Sequence, residues 1–149
     1  MKDIYNYQFL SYTLSSSGMP TAGQMQAIAD ENVRVVINLA MATSEGALPD
    51  EGKLVESLGM KYVHIPVEWS NPTRGDLDDF FQAMDEHREE KIHVHCQANY
   101  RASAFIMLYR VLRLGWNKAD AIPVMEKMWN PEDFPVWERF IDDQLAAHS

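Results

Sequence analysis

The sequence predicts an α/β fold of three layers, in which a mostly parallel central sheet lies between helices on both faces. Two observations lead to this prediction. Short runs of β-branched residues alternate with stretches whose apolar residues recur at helical spacing, and no repeat, low-complexity tract or long linker interrupts the alternation. Strands that alternate with helices form βαβ units, which build parallel sheets covered on both faces. The length of 149 residues suits one domain over residues 1–149, and the 46% of apolar residues can fill its core.

Three segments are predicted to be strands of this sheet. Residues 33–39 and 61–66 are rich in valine and isoleucine, and residues 91–96 alternate Ile92 and Val94 with histidines. Ligand sites in such sheets lie beyond the carboxyl ends of the strands. The residues that follow these segments are therefore the candidates for a functional site.

The first two predicted helices have recognisable ends. Thr21 and Gln24 form the pattern of a capping box, which opens a helix that runs to about residue 32. Asp50 is expected to cap a short helix that ends at Leu58, with Gly59 as its left-handed terminator.

The remaining helices follow the second strand. Thr73 is expected to begin a helix because the apolar residues after it recur at helical spacing, namely Leu77, Phe80, Phe81 and Met84. A largely apolar helix over residues 101–114 is stopped by Gly115. Two further helices are predicted over residues 118–128 and 132–147. Each contains a proline that is expected in the first turn, Pro123 in the former and Pro135 in the latter.

The charge balance argues against two classes of partner. The chain carries 13 basic and 22 acidic residues, a net charge of −9. Binding to nucleic acid or to anionic membranes depends on clustered lysine and arginine, so neither is expected. No apolar run approaches the roughly 20 residues of a membrane span, and the first residues lack the apolar core of a signal peptide.

The single cysteine and the histidines bear on compartment and cofactors. Cys96 has no partner for an internal disulfide, which fits a reducing compartment, and a cytoplasmic location is expected. The five histidines lack metal-ligand spacing, so neither a metal nor another cofactor is expected: His64, His87, His93, His95 and His148. Most lone cysteines are inert core residues, so the surroundings of Cys96 decide its role.

Cys96 lies where chemistry is expected, between the third predicted strand and a helix. A short loop between a strand and a helix N-terminus presents backbone N–H groups, and with the helix dipole these bind anions and stabilise a thiolate. Arg101 adds a two-pronged donor for a tetrahedral oxyanion. A nucleophile, an anion cradle and an arginine are the parts that phosphoryl transfer through a cysteinyl-phosphate requires.

The motif His95-Cys96, a short loop and Arg101 resembles the signature of the cysteine-based protein phosphatases, in particular the dual-specificity branch and its bacterial relatives. The similarity extends over roughly residues 17–140, through the segments 17–21, 36–39, 64–67, 71–73 and 129–131. It implies a (phosphotyrosine protein phosphatase II)-like fold. It also implies that Cys96 is the nucleophile and that His95 orients the loop.

The resemblance further implies how phosphate would be bound. The candidates are Arg101 and the loop residues before it, together with Ser103: Gln97, Ala98, Asn99, Tyr100, Arg101 and Ser103. The expected ligand is phosphate or another oxyanion, carried by a phosphoprotein or a small phosphorylated substrate. The acidic chain offers no broad basic surface, which favours an isolated phosphate group.

Two parts of the chain depart from the family pattern, and the first is the cysteine loop. Four residues separate Cys96 from Arg101 where the family has five, so either the loop is one residue short or the arginine is displaced, with Ala102 in its place. Asn99 replaces the loop glycine, and asparagine is the residue after glycine that best tolerates a left-handed backbone.

The second departure concerns the general acid. Trp69 occupies the position where the family commonly carries an aspartate. Glu68 is the first candidate to replace it and Asp76 the second, although Asp76 is better explained as a helix cap. Without an acid, alkyl phosphates would be hydrolysed less well than aryl phosphates, because aryl leaving groups need less protonation.

Three functions remain open at the level of sequence. The first is a cysteine-dependent phosphatase. The second is a rhodanese-like sulfurtransferase, since those proteins typically have a loop of the length found between Cys96 and Arg101. The third is a pseudophosphatase that binds phosphate without turnover, which the arginine position and Trp69 both motivate.

Overall fold

The computed structural model describes residues 1–147. In chain order the elements are β1 (Gln8–Ser11), β2 (Leu14–Ser17), α1 (Ala22–Asp30), β3 (Val35–Asn38), α2 (Glu51–Ser57), β4 (Lys61–His64), α3 (Arg74–Glu86), β5 (Ile92–His95), α4 (Tyr100–Leu112), α5 (Lys118–Glu126), a 3₁₀ turn (Pro131–Asp133) and α6 (Pro135–Ala147).

The strands form one sheet in the order β1-β2-β5-β3-β4. Strands β2, β5, β3 and β4 run parallel to one another, and β1 pairs with β2 in the antiparallel direction at one edge of the sheet. The predicted α/β class with a mostly parallel sheet is confirmed. The three predicted segments contain β3, β4 and β5. Strands β1 and β2 were not predicted.

Helices cover both faces of the sheet, as a three-layer fold requires. On one face, Met25 and Ile28 of α1 and Val55 of α2 pack with Val36 of β3. On the other face, a larger core joins the alternate residues of β3 to the later helices, through Val35, Ile37, Phe80, Phe105 and Trp137. Successive residues of a strand point to opposite faces, which is why neighbours in β3 belong to different cores.

The predicted capping box at Thr21 is present, and a second one lies at the predicted start of α3. The Thr21 hydroxyl accepts from the Gln24 amide and the Gln24 side chain accepts from the Thr21 amide, and Thr73 and Asp76 form the same reciprocal pair. Gly59 has the predicted left-handed backbone, with φ 86°.

Two predictions about helix ends are wrong. Asp50 lies at the start of α2 but makes no side-chain cap, because its own backbone is left-handed, with φ 52°. Pro123 lies inside α5 and not in its first turn, since that helix already begins at Lys118. Pro135 is the first residue of α6, as predicted. Within residues 1–147, no helix combines the length and apolar character needed to cross a membrane.

Candidate active site

Cys96 lies at the carboxyl edge of the sheet, directly after β5, and is fully buried. It contributes to the wall of a cavity of about 280 Å³. The other lining residues come from the loop that follows Cys96, from the segment after β4 and from the segment before α6: Trp69, Gln97, Ala98, Tyr100, Arg101 and Phe134. Three parts of the chain that are distant in sequence therefore meet around the thiol.

The loop from Cys96 to Arg101 is anchored on its outer side by the N-terminal segment. The Gln97 carbonyl accepts from the Met19 amide at 2.9 Å, and the Ala98 carbonyl accepts from the Asn6 side chain at 2.9 Å. The C=O and N–H of a trans peptide point in opposite directions, so the N–H of Ala98 points away from Met19. This arrangement turns the Ala98 amide toward the inner side, where Gln97 and Ala98 line the cavity.

Asn99 has the left-handed backbone that its residue type predicts, with φ 67°. Its side-chain amide donates to the Asn6 carbonyl at 2.9 Å and to the Ser16 hydroxyl at 3.0 Å. Asn99 is fully buried and is absent from the cavity wall. It therefore braces the loop from behind, and a direct contact of its side chain with a bound anion does not fit this geometry.

Arg101 is the second residue of α4 and is 6% exposed. Its Nη1 donates to the Val67 carbonyl at 2.8 Å. Among residues 1–147, that is the one hydrogen bond of this guanidinium, so its other N–H groups are left for a ligand in the cavity that Arg101 lines. The side chain thus links the cysteine loop to the segment that follows β4.

Aromatic rings close the cavity on the side opposite the loop. Trp69 stacks on Trp137 with ring centroids 5.3 Å apart, and its ring also contacts Tyr100, Trp129 and Phe134 at 6.0, 5.5 and 5.2 Å. Tyr100 stacks on Trp129 at 4.9 Å. Trp129 and Trp137 are packing residues, as expected, whereas Tyr100 both packs and lines the cavity.

The chain is similar to phosphatases in sequence family and in structure. A family model described as "DSP-PTPase phosphatase fused to NAD+ Kinase" matches residues 6–132. The chain belongs to this DSP-PTPase family. A crystal structure called "Putative phosphatase (DUF442)", from Shewanella putrefaciens CN-32, is 42% identical, with a TM-score of 0.89 over 99% of this chain and 94% of that one.

More distant phosphatases share the fold. The structure of PTPMT1 in complex with PI(5)P has a TM-score of 0.73 at 20% identity, over 96% of this chain and 99% of that one. The Pseudomonas aeruginosa protein TpbA has a TM-score of 0.72 at 17% identity, over 96% and 92%. Likeness at such identities concerns the fold alone. No curated protein matches the chain.

Besides Asn99, three predicted site residues of this DSP-PTPase chain lie away from the cavity wall. Ser103 accepts a hydrogen bond from the Trp129 indole at 3.0 Å and donates to the Tyr100 carbonyl, so its hydroxyl is engaged in packing. Asp76 belongs to the cap of α3. Glu68 is exposed. Of its two neighbours, Val67 accepts a hydrogen bond from Arg101 and Trp69 lines the cavity.

A buried polar network beneath the loop was missed at the level of sequence. His95 Nε2 lies 2.7 Å from Glu51 Oε2, and His95 Nδ1 lies 3.3 Å from the Cys96 carbonyl oxygen. Tyr62 joins Glu51 from β4, and burial together with that carboxylate raises the pKa of Tyr62 to about 12. In the sequence, Glu51 has the form of an ordinary first-turn carboxylate, so nothing there indicates this contact.

His93, one residue further back on β5, has no route to the cavity. Its Nδ1 and Nε2 are bonded to the hydroxyls of Ser15 and Ser17 at 2.7 and 2.8 Å. Burial, together with electrostatic repulsion from the neighbouring His95, lowers the pKa of His93 to about 3. His93 is therefore a neutral structural residue that binds β5 to β2. Among residues 1–147, no group of His, Cys, Asp and Glu side chains could hold a metal ion.

Proposed function

We propose that the protein is a cysteine-dependent phosphatase that hydrolyses phosphate monoesters through a cysteinyl-phosphate on Cys96. One observation carries this proposal: Cys96, the loop residues Gln97 and Ala98, and Arg101 line a single cavity in a chain of the DSP-PTPase family. Loop amides and a guanidinium are the donors that stabilise a phosphoryl group during transfer.

In the first step, the Cys96 thiolate attacks phosphorus. The S–P bond forms while the bond from phosphorus to the ester oxygen breaks, and the electron pair leaves with that oxygen. The Arg101 guanidinium and the N–H groups of residues 97–101 hold the phosphoryl oxygens. In the second step, a water attacks phosphorus, the S–P bond breaks, and phosphate and the thiolate are released.

The source of the leaving-group proton sets the preferred substrate. Among residues 1–147, those that line the cavity include no carboxylate or imidazole, and the family's acid position is occupied by Trp69. A leaving group would then take its proton from water, and the factor of about 10²–10⁴ that a general acid supplies would be lost. Aryl phosphates, whose phenolates leave without protonation, are the favoured class. Glu68 is the carboxylate to test first.

The ligand expected is an isolated phosphate group on a protein or a small molecule. Arg101 is the single charged residue in the cavity wall, and the whole chain has a net charge of −9. Such a surface repels polyanions, so neither nucleic acid nor an anionic membrane is a proposed partner. A cytoplasmic location, which keeps Cys96 reduced, is part of the same proposal.

Hydrolysis of a chromogenic aryl phosphate tests the proposal. Wild type should turn over and be inhibited by vanadate, and Cys96→Ser should lose turnover while it still binds the oxyanion. Ser57→Ala, at an exposed serine whose hydroxyl bonds only the Leu54 carbonyl among residues 1–147, is the control and should match wild type. Equal turnover by Cys96→Ser would disprove the mechanism. Oxyanion binding by wild type without any turnover would instead support a pseudophosphatase.

A sulfurtransferase is the second candidate, because four residues separate Cys96 from Arg101, the length that resembles rhodanese loops. Here the Cys96 thiolate would attack the outer sulfur of thiosulfate, the S–S bond would break, and sulfite would leave with the electron pair. The resulting persulfide would pass its sulfur to an acceptor thiolate or cyanide. Intact mass after incubation with thiosulfate tests this: an added sulfur atom on wild type but not on Cys96→Ser supports it, and no added sulfur removes it.

A further inference from the structure

A chain of buried hydrogen bonds runs behind the cysteine loop and ends on the backbone of Cys96. His95 and Glu51, with side chains 0% and 5% exposed, are joined by a 2.7 Å contact between Nε2 and Oε2. The other ring nitrogen of His95 lies 3.3 Å from the Cys96 carbonyl oxygen. A residue from α2 therefore reaches the nucleophile through a single imidazole.

The partners of the imidazole determine how many protons it carries. A peptide carbonyl can only accept a hydrogen bond, so the nitrogen that faces Cys96 must be protonated. An ionised carboxylate also only accepts, so the nitrogen that faces Glu51 must be protonated as long as Glu51 is charged. The charge state of Glu51 thus determines whether His95 is neutral or a cation.

Two neighbours keep Glu51 in the role of an acceptor. Asn38 Nδ2 donates to the Tyr62 hydroxyl oxygen at 3.0 Å, and Glu51, after burial, contributes to the raised pKa of that hydroxyl. Because Asn38 already occupies a lone pair of that oxygen, the Tyr62 O–H is directed at the carboxylate. Asn38 is itself oriented, since its Oδ1 accepts from the Ala40 amide at 2.8 Å. His95 and Tyr62 are therefore both placed to donate to the Glu51 carboxylate.

We propose that Glu51 is a positioning residue of the Cys96 site, whose carboxylate keeps His95 doubly protonated and so places a positive charge and a fixed donor against the backbone of the nucleophile. The proposal rests on the proposed function of Cys96 as a thiolate nucleophile. A cation next to the thiol favours the thiolate, and a held carbonyl fixes the start of the loop. Glu51 would touch no substrate and would act only through His95.

Other titratable groups near this pair are accounted for. They come from β4, β5 and α4: Tyr62 near Glu51, His93 beside His95, Arg101 in the wall of the same cavity, and His64, whose Nε2 contacts the Ala40 carbonyl at 2.7 Å. His93 is neutral because its pKa is lowered to about 3, mainly by burial. Arg101 is the same in wild type and in the variants of Glu51 and Tyr62, so its influence on Cys96 is a constant background.

The pH profile of Cys96 alkylation tests the proposal without any need for turnover. Cys96 is the only cysteine, so the rate of iodoacetamide adduct formation by intact mass reports on this thiol alone. In Glu51→Gln the carboxylate is replaced by a neutral amide of similar shape, and we expect the profile to move to higher pH. A displacement of one pH unit would appear as an about tenfold lower rate at pH values below the thiol pKa of both proteins. Near pH 10, where the thiol is ionised in both proteins, the rates should converge.

Two further variants make the result specific. Tyr62→Phe keeps the ring but removes the O–H that Glu51 accepts, and it should move the profile in the same direction by a smaller amount. Tyr109→Phe removes a comparable hydroxyl that lies outside the cavity wall and donates a 2.8 Å hydrogen bond to Asp85. This variant should leave the profile unchanged. If Glu51→Gln does not fold, Tyr62→Phe decides. A profile that superimposes on that of wild type overturns the proposal.

The proposal and the proposed function fail in different ways. If wild type shows no phosphatase turnover but Glu51→Gln moves the alkylation profile, then Glu51 positions a reactive cysteine of another chemistry. If wild type is an active phosphatase and the alkylation profiles coincide, then the assignment of Glu51 is wrong while the function stands.

Discussion

The indole N–H of Trp137 donates a 2.7 Å hydrogen bond to the carbonyl oxygen of Trp69, and the two rings stack with centroids 5.3 Å apart. Trp69 belongs to the segment after β4 and Trp137 to the first turn of α6. Val67 in the same segment is held by Arg101. The segment where related phosphatases commonly carry their acid is therefore attached at two points, by its carbonyl groups.

Removal of the Trp137 indole N–H should loosen this segment. Trp137→Phe keeps an aromatic ring in the cluster but leaves the Trp69 carbonyl unpaired, and we expect a loss of about 1–3 kcal/mol in the free energy of unfolding. Urea denaturation measures the change. Trp116→Phe, at a tryptophan that is 39% exposed, is the control and should change stability by less than about 0.5 kcal/mol. Equal stabilities of Trp137→Phe and wild type would show that the indole bond contributes nothing.

Replacement of the guanidinium should weaken oxyanion binding. Arg101→Lys keeps the positive charge but loses the planar pair of donors and the bond to Val67, so we expect vanadate or tungstate affinity to fall by roughly ten- to a hundredfold. Calorimetry measures the affinity. Arg74→Lys, at an exposed arginine paired with Asp78, serves as the matched control. Unchanged affinity in Arg101→Lys would mean that Arg101 does not contact the anion.

Two glycine substitutions should act in opposite directions. A Cβ on Gly18 would lie 2.7 Å from the Gln97 carbonyl oxygen and 2.7 Å from the Tyr5 ring, so Gly18→Ala should displace the loop and cost about 1–3 kcal/mol. At Gly23, in the first turn of α1, a Cβ meets nothing within 4 Å. Gly23→Ala should therefore stabilise the fold by about 0.4–1 kcal/mol. Thermal and urea unfolding test both, and a neutral Gly18→Ala would contradict the close approach.

Stability should decrease in acid partly because of His93. Its pKa is lowered from 6.5 to about 3 in the folded protein, so between these values the unfolded chain binds a proton that the folded chain excludes. The free energy of unfolding therefore falls as the pH drops through this window, by up to about 1.4 kcal/mol per pH unit from this group. Denaturation of wild type and His93→Gln between about pH 4 and 7 measures the slope, which should be shallower in the variant. Parallel slopes would refute the assignment.

Glu68→Gln separates two sources of the leaving-group proton. Glu68 is exposed and lies outside the cavity wall, so we expect Glu68→Gln to hydrolyse an aryl phosphate at the rate of wild type. Comparison of an aryl with an alkyl substrate extends the test, with Glu56→Gln as a control on an exposed face of α2. A selective loss of about 10²–10⁴ on the alkyl substrate would instead identify Glu68 as a general acid.

The parts that the sequence could predict are those determined by local chemistry. The periodicity of β3, β4 and β5, the two capping boxes and the left-handed Asn99 all depend on residues close together in the chain. Cys96 and Arg101 are likewise separated by one loop, and they do share a cavity.

The parts that could not be predicted depend on distant partners. Strand β2 contains Ser15 and Ser17, whose buried hydroxyls both find a partner in the distant His93. Glu51 and His95 are 44 residues apart, and nothing in either segment indicates the other. Ser103 fits the phosphatase motif by position, but Trp129 engages its hydroxyl from another part of the chain.

The anchoring of the cysteine loop by Asn6 has a consequence for the order of folding. The hydrogen bond from Asn6 to Ala98 spans 92 positions of the sequence, and the one from Asn99 to Asn6 spans 93. Contacts of such sequence separation carry the largest loop-closure entropy, so they form late. The residues that brace the loop leave the ribosome early but have no partner until β5 and α4 have been synthesised. We therefore expect the anion cradle to be among the last features to form, after the sheet and the helices that surround it.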